Sequence, residues 1–331
     1  MTSRLGALGL SAVLAAGCTH TTNLLNPASP GFFGSYAATA ESAGSQDVQI
    51  VTFNIKLGRS IDRAIRVLEN DSLAGADIIA LQEMDELGVE RIARALKLNY
   101  AYYPGSIHPT DDRYFGPALL SLWPIERNWK VLLPHEGRIR HQRRTATAAI
   151  IRIGNRPVLA YAVHLETQLK ISESGRRDQV QTMLDDAAGF AGPVVIAGDF
   201  NSEGIGPYLV QHGYRWATDR LAPSMTIFSW DHIFARGLHP KRAGVVRGVN
   251  GASDHRPVWA VAAVDSALLR GATNYSSGTR DGGLKIRSGG GGSGTSREGH
   301  RVRGWSAAQE PATTGAVEGV RLGSRAAQGA S

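Results

Sequence analysis

The sequence predicts an α/β sandwich, with mixed sheets packed on one another and helices on the outside. Three observations predict it. Short apolar runs alternate with amphipathic helical stripes early in the chain, strands then follow one another with few helices between them, and polar residues recur just where apolar runs end. With 331 residues and 42% hydrophobic side chains the chain can bury a sizeable core. Sandwiches of this kind commonly use more than about 200 residues as one domain.

Val48-Gln-Ile-Val-Thr-Phe53 reads as a buried strand, and Ile61, Ala64, Ile65 and Leu68 fall at the i, i+3, i+4, i+7 spacing of a helix. Asp77 to Gln82 is a second strand and Val89 to Leu98 a second helix. Strands follow at Ala118–Leu122, Val131–Leu133, Thr147–Ile153 and Val158–His164. A helix from Glu173 to Phe190 buries Val180, Met183, Leu184 and Ala187. Pro193–Phe200 is again a strand, Trp230–Ala235 reads as a short helix, and Pro257–Val264 is the last strand.

The two ends differ from this body. Met1-Thr-Ser-Arg4, an apolar run from Leu5 to Ala16 and then Gly17-Cys18 have the layout of an export signal, too short for a spanning helix. Ala15-Ala16-Gly17-Cys18 resembles a bacterial lipobox, so residues 1–18 predict an exported protein, secreted or held to the cell envelope by lipid on Cys18. Cys18 is the one cysteine, which excludes an intramolecular disulfide. Residues 19–46, rich in Thr, Asn, Ala, Ser, Pro and Gly, read as a flexible tether. Residues 270–331 hold 15 glycines and read as a disordered tail. The net charge of +7 does not argue for nucleic acid. The tail carries 9 Lys/Arg against 4 Asp/Glu, leaving 27 against 25 for residues 1–269, so the domain itself is near neutral.

Chemistry gathers at strand ends, where open α/β sheets bind ligands. Asn54 follows the first strand, Glu83 the second, His164 ends a third, Asp199 and Asn201 follow a fourth, and Asp254-His255 precede the last. Carboxylates with Asn are hard oxygen ligands suited to Mg²⁺ or Mn²⁺, and a core without cysteine argues against structural zinc. Phosphoester hydrolysis needs a cation, a base for water and a donor for the leaving oxygen, all of which this set can supply.

Thr52-Phe-Asn54-Ile, Leu81-Gln-Glu83, Gly116-Pro-Ala-Leu-Leu-Ser121, Val163-His164-Leu, Gly198-Asp199-Phe-Asn201, Asp231-His-Ile-Phe234 and Ser253-Asp254-His255-Arg-Pro-Val258 together resemble the endonuclease/exonuclease/phosphatase family in order and spacing. The resemblance covers residues 47–264 and implies a four-layer, DNase I-like α/β sandwich: two mixed sheets face to face, helices outside, in a domain of residues 47–265. It implies Glu83 as principal metal ligand with Asn54 beside it, and Asp254 as a carboxylate that binds metal or orients histidine. It further implies Asp199 and Asn201 as the pair positioning water and phosphate, His255 as base or phosphate contact, His164 as a second phosphate or leaving-group histidine, and Asp231 as the carboxylate holding a histidine. Mg²⁺, with Mn²⁺ as substitute, is the implied cofactor. The implied function is metal-dependent phosphodiester hydrolysis by a nuclease-like protein. The alternatives are a phospholipid or small-molecule phosphoesterase at the envelope and an inactive binding module on the same fold. A monomer is expected.

Departures from the family pattern are Pro117 where many small bacterial members have Asn, His232 where Tyr is usual, and a short stretch from Leu221 to Ser229. Val163-His164-Leu-Glu166 stands where abasic-site nucleases carry a Tyr-x-Pro-x-Gly segment, which argues against DNA repair. Arg143 and Arg144, ahead of a strand, read as a solvated pair in preference to phosphate contacts. His108, Asp111 and Asp112 read as surface loop, and the tryptophans as core or rim packing.

Overall fold

The computed structural model describes residues 21–38 and 47–264. The export signal, the last part of the expected tether and the glycine-rich tail lie outside the described residues. The first elements are β1 (Thr22–Asn23), β2 (Phe32–Gly34), β3 (Asp47–Asn54), α1 (Ile61–Leu68), β4 (Ile78–Met84) and α2 (Glu86–Leu96). Then come β5 (Asn99–Tyr102), β6 (Ser106–Ile107), β7 (Tyr114–Ser121), β8 (Ile125–Glu136), β9 (Arg143–Ile153) and β10 (Arg156–His164). The last are α3 (Glu173–Asp186), β11 (Val194–Asp199), α4 (Ile205–Gln211), β12 (Arg215–Trp216), β13 (Asp231–Arg236), β14 (Leu238–Val245) and β15 (Val258–Val264).

Two mixed sheets result. One has the order β1-β6-β7-β4-β3-β15-β14, with β5 also on β7 and β2 on β5; the other runs β12-β13-β11-β10-β9-β8. Each sheet contains one parallel pair, β3/β4 and β10/β11, with antiparallel pairing elsewhere. Period two divides each strand between layers. In β3, Val48 and Ile50 enter the layer between the sheets, while Val51 and Phe53 face α1 and α2. In β10, Ala160 and Ala162 face the other sheet, while Leu159, Tyr161 and Val163 pack towards α3. Three cores under four layers are the predicted sandwich.

Local signals explain the helices. Asp85 caps α2 by accepting from the Gly88 N–H, and Lys97 closes it in the left-handed conformation. Ser172 caps α3, again by accepting an N–H, from Gly175. Two sequence expectations change. Trp230–Ala235 is not a helix: Asp231–Arg236 is strand β13, antiparallel to β11, with Ile233 and Ala235 between the sheets and Phe234 on the α3 side. Six residues cannot display a helical period, and the Ile/Ala–Phe alternation answers to the sheet. The short helix α4 had no stripe long enough to predict it.

The second change is larger. Residues 21–38, expected as part of a flexible tether, lie along the first sheet. Thr22-Asn23 pair with β6 and Phe32–Gly34 with β5. Phe32 stacks on Tyr102, Phe33 meets Tyr103 edge-on, and Tyr36 donates to Glu90. The buried ammonium of Lys130 donates to the carbonyls of Leu24 (3.1 Å) and Ser29 (2.8 Å). Burial lowers the Lys130 pKa to about 8. A polar composition concealed three aromatic anchors. Lys130→Met leaves both carbonyls without this donor, so unfolding in urea should show a loss of about 1–3 kcal/mol. Proteolysis within residues 21–38 should quicken in parallel.

Candidate active site

The parallel pairs bring the polar strand ends together. His164 on β10, Asp199 on β11 and Asp231 on β13 are register partners across three neighbouring strands, so their side chains leave the same face of the sheet. Gly198 permits this: a Cβ there would lie 2.0 Å from the Val163 carbonyl oxygen, and only glycine lets the strands approach so closely. From the opposite sheet Asn54, at the end of β3, donates through Nδ2 to Asp199 Oδ2 (3.0 Å) and to Glu83 Oε1 (3.2 Å).

Glu83 sits at an irregularity in the β4–β7 pairing with φ +60°, a left-handed conformation that a non-glycine side chain adopts at a cost. Its Oε2 also accepts the Leu57 N–H (3.0 Å). Asn201 is left-handed as well, its N–H donating to Asp199 Oδ1 and its Nδ2 to the Leu165 carbonyl. Asp199 is thus gripped on both oxygens. Its burial, and then the charge of Asp231, raise its pKa to about 7.

His255 is held from behind. Its Nδ1 lies 2.7 Å from Asp231 Oδ2, its N–H donates to Ser253 Oγ, and Ser253 Oγ donates to the Asn54 carbonyl. Ser224 Oγ accepts the N–H groups of Trp230 and Asp231, fixing the other member of the pair. Nε2 of His255 points towards Asp199 Oδ2 at 3.8 Å. Burial disfavours the imidazolium, but Asp231, its hydrogen bond and Asp199 outweigh this and raise the pKa to about 10. His164, whose Nε2 is 3.5 Å from Asp199 Oδ2, behaves oppositely. Burial, then Arg144 and His255, push it well below the usual histidine range, and its Nδ1 is buried without a partner.

These groups line a cavity of about 410 Å³. Glu83, His164, Asp199, Asn201, Asp254 and His255 reach its wall, while Asn54 and Asp231 stand behind, bonded to residues that do. Asp254 is set apart at the rim, half exposed and paired with Lys56 at 3.0 Å. Burial works against ionisation there, but the Lys56 hydrogen bond holds its pKa below the usual value. His232 is not in the cavity: it is buried against Trp216 and Phe234 and accepts from Trp216 Nε1.

Arg144 corrects the sequence reading. It is not solvated but 6% exposed, bonded through Nε and Nη2 to fully buried Glu166, with Nη1 buried and unpartnered at the cavity wall. Lys170 completes the cluster at 3.3 Å from Glu166. Burial opposes the Glu166 charge, but Arg144 and Lys170 hold its pKa near 2. Period two from the buried Ala146 and Ala148 was the available signal, since it puts Arg144 on their side of β9.

The residues fit a hard divalent cation. One neutral amide, Asn54 Nδ2, serves two carboxylates, Glu83 and Asp199, whose charges a cation would neutralise. A second grouping, Asp199, Asp231 and His255, places its ligand atoms within 4.8 Å of one another. There Asp231 Oδ2 and His255 Nδ1 are already committed to each other, so Glu83, with Asn54 beside it, is the better ligand group; Asn54 would turn its Oδ1, which accepts the Lys56 N–H, towards the ion.

Face-packed mixed sheets with carboxylates and an Asp-held histidine at their shared edge define the DNase I-like class of α/β sandwich. The chain belongs to the endonuclease/exonuclease/phosphatase family, whose model matches residues 51–255. Among solved structures it is similar to a family member from Beutenbergia cavernae (16% identity, 67% of this chain and 72% of that one, TM-score 0.55). It is similar also to a humanised D. rerio TDP2 (17%, 66% and 99%, TM-score 0.53) and to sphingomyelinase C from Streptomyces griseocarneus (18%, 66% and 99%, TM-score 0.51). At such identities these likenesses speak to the fold. A UPF0294 protein of Vibrio cholerae is 32% identical over 91 residues, 25% of this chain, which spans about a third of that relative's length.

The Asp231–His255 pair has a thermodynamic signature. Because the folded pKa of His255 lies above its ordinary value of 6.5, its stabilisation is complete below pH 6.5 and is lost as pH rises to about 10. In metal-free protein, Asp231→Asn should flatten this decline in denaturation measured from pH 6.5 to 10. The His255 NMR titration midpoint should fall by about one pH unit or more.

Proposed function

We propose that this chain is a divalent-metal-dependent hydrolase of phosphodiester bonds. The observation that carries the reading is the convergence, on one cavity, of the Glu83 and Asp199 carboxylates, joined by Asn54 Nδ2, with an Asp231-held His255. A bound Mg²⁺ or Mn²⁺, held by Glu83 with Asn54 beside it, would supply charge neutralisation at the phosphoryl oxygens.

The protein's own groups divide the remaining work. Asp199, held on both oxygens at the cavity wall, is placed to take a proton from the attacking water. Asn201 is held by Leu165 and reaches the same wall, placed to orient that water. Asp231 fixes Nδ1 of His255 and leaves Nε2 to face the cavity, where the imidazolium can meet phosphate charge and donate to the departing oxygen. His164, kept neutral by burial, is a second contact for a phosphate oxygen. Water forms the new bond to phosphorus as the ester oxygen leaves with the proton.

The nuclease-like reading and the phospholipid or small-molecule reading share this chemistry. Near-neutrality of residues 1–269 gives the nuclease reading no electrostatic support, and the cavity rim described below favours a lipid-borne phosphodiester. Export, with lipid on Cys18, remains part of the proposal. A diacylglyceryl mass at a processed N-terminal Cys18 would support it, and a free thiol there would count against it.

Full-length protein with Mg²⁺ or Mn²⁺ should hydrolyse bis-p-nitrophenyl phosphate, and EDTA should abolish turnover. His255→Ala should lower kcat by about 10²–10⁴. Absence of turnover with any divalent ion would instead support a binding module. Plasmid degradation set against release of phospholipid headgroups then separates the two substrate readings.

A further inference from the structure

Four of the large apolar side chains exposed among the described residues adjoin the cavity. Ile139 is 56% exposed, Leu169 88%, Ile227 72% and Phe228 40%. They stand on three loops, and each loop also sends residues into the cavity wall: Arg140 beside Ile139, Lys170 beside Leu169, and Met225 and Trp230 around Ile227 and Phe228. The first two loops are joined, since the Arg138 N–H donates to the Lys170 carbonyl (3.0 Å). In the third, Phe228 stacks on Trp230, with ring centroids 4.5 Å apart and planes 14° from parallel.

Isolated exposed apolar residues need no explanation, but these four share one mouth, and on two of its three loops they sit beside cations. Arg138 and Arg140 flank Ile139 and are exposed, and Lys170 follows Leu169. Of the nearby acids, Glu166 is buried between Arg144 and Lys170, Glu136 lies 3.7 Å from His141, Asp254 pairs with Lys56, and exposed Glu203 accepts the Ser229 N–H. Apolar tips beside basic side chains match a layer whose surface carries phosphates and whose depth is hydrocarbon.

The described chain begins on the same rim. The Thr21 N–H donates to the Arg140 carbonyl (2.9 Å), and Asn23 Nδ2 to that of His141 (2.8 Å). Cys18 precedes Thr21 by three residues, which span at most roughly 11 Å. A lipid on that cysteine would therefore enter the membrane beside this mouth.

We propose that the cavity mouth docks on an anionic phospholipid bilayer, with Ile139, Leu169, Ile227 and Phe228 entering the interface and Arg138, Arg140 and Lys170 meeting lipid phosphates. The docking stands apart from the phosphodiesterase reading; that the substrate is itself a membrane phospholipid rests on that reading.

The test uses the processed chain from residue 18 onward, carrying Cys18→Ser so that no acyl chain contributes. It is sedimented with vesicles of equimolar phosphatidylcholine and phosphatidylglycerol and with vesicles of phosphatidylcholine alone. The basic tail is common to every protein compared. The triple variant Ile139→Ser/Leu169→Ser/Ile227→Ser, all at exposed positions, should bind the mixed vesicles about tenfold more weakly or worse. Its melting temperature and its turnover of bis-p-nitrophenyl phosphate should stay unchanged. Arg138→Gln should weaken binding to the mixed vesicles and not to phosphatidylcholine alone. Undiminished binding by the triple variant, or no vesicle binding by the parent, overturns the proposal. So does an affinity for duplex DNA that Arg138→Gln reduces while vesicle binding is untouched. Vesicle binding without any phosphodiester turnover would sink the phosphodiesterase reading and leave the docking in place.

Discussion

A buried hydrogen bond between the sheets, from Asn54 Nδ2 to Asp199 Oδ2, marks the constraint on which the site depends. Each sheet contains one parallel strand pair, and parallel strands end together on one side. When the sheets pack face to face, β3 and β4 deliver Asn54 and Glu83 to the place where β10 and β11 deliver His164 and Asp199. The apolar layer behind them, largely Ala and Val, holds the two edges in apposition. No loop could place four side chains from four strands with comparable economy of freedom.

The same apposition explains the electrostatics. Asp199 and Asp231 are buried neighbours in register, an arrangement that disfavours two negative charges at once. The protein resolves this by giving Asp231 an imidazolium and by leaving Asp199 with an elevated proton affinity. The two histidines are separated by the same logic. One is backed by a carboxylate and stays charged; the other faces Arg144 and is neutral. Similar residues thereby take unlike roles within one cavity.

The sandwich was legible because strand alternation and helix stripes are local, and the strand-end polar residues were legible because a polar group after an apolar run is conspicuous. Asn54, Glu83, His164, Asp199, Asn201 and His255 could be found this way, and the structure gathers them with Asp231 around one cavity. What was not legible depended on partners distant in sequence. Arg144 looked solvated because Glu166, 22 residues later, is what makes its burial tolerable. β13 looked helical because its pairing with β11 cannot be read from six residues. Residues 21–38 looked like tether because composition averages away Phe32, Phe33 and Tyr36, whose contacts lie on β5, β7 and α2.

That N-terminal segment has a consequence for how the family's fold ends here. The residues shared with the family begin at Val51, yet β1 covers the free edge of β6 and β2 that of β5. An uncovered strand edge is a template for another chain. Here the segment replaces those edges with strands of only two and three residues, too short to offer another chain much of a ladder, some thirty residues before the portion matched to the family.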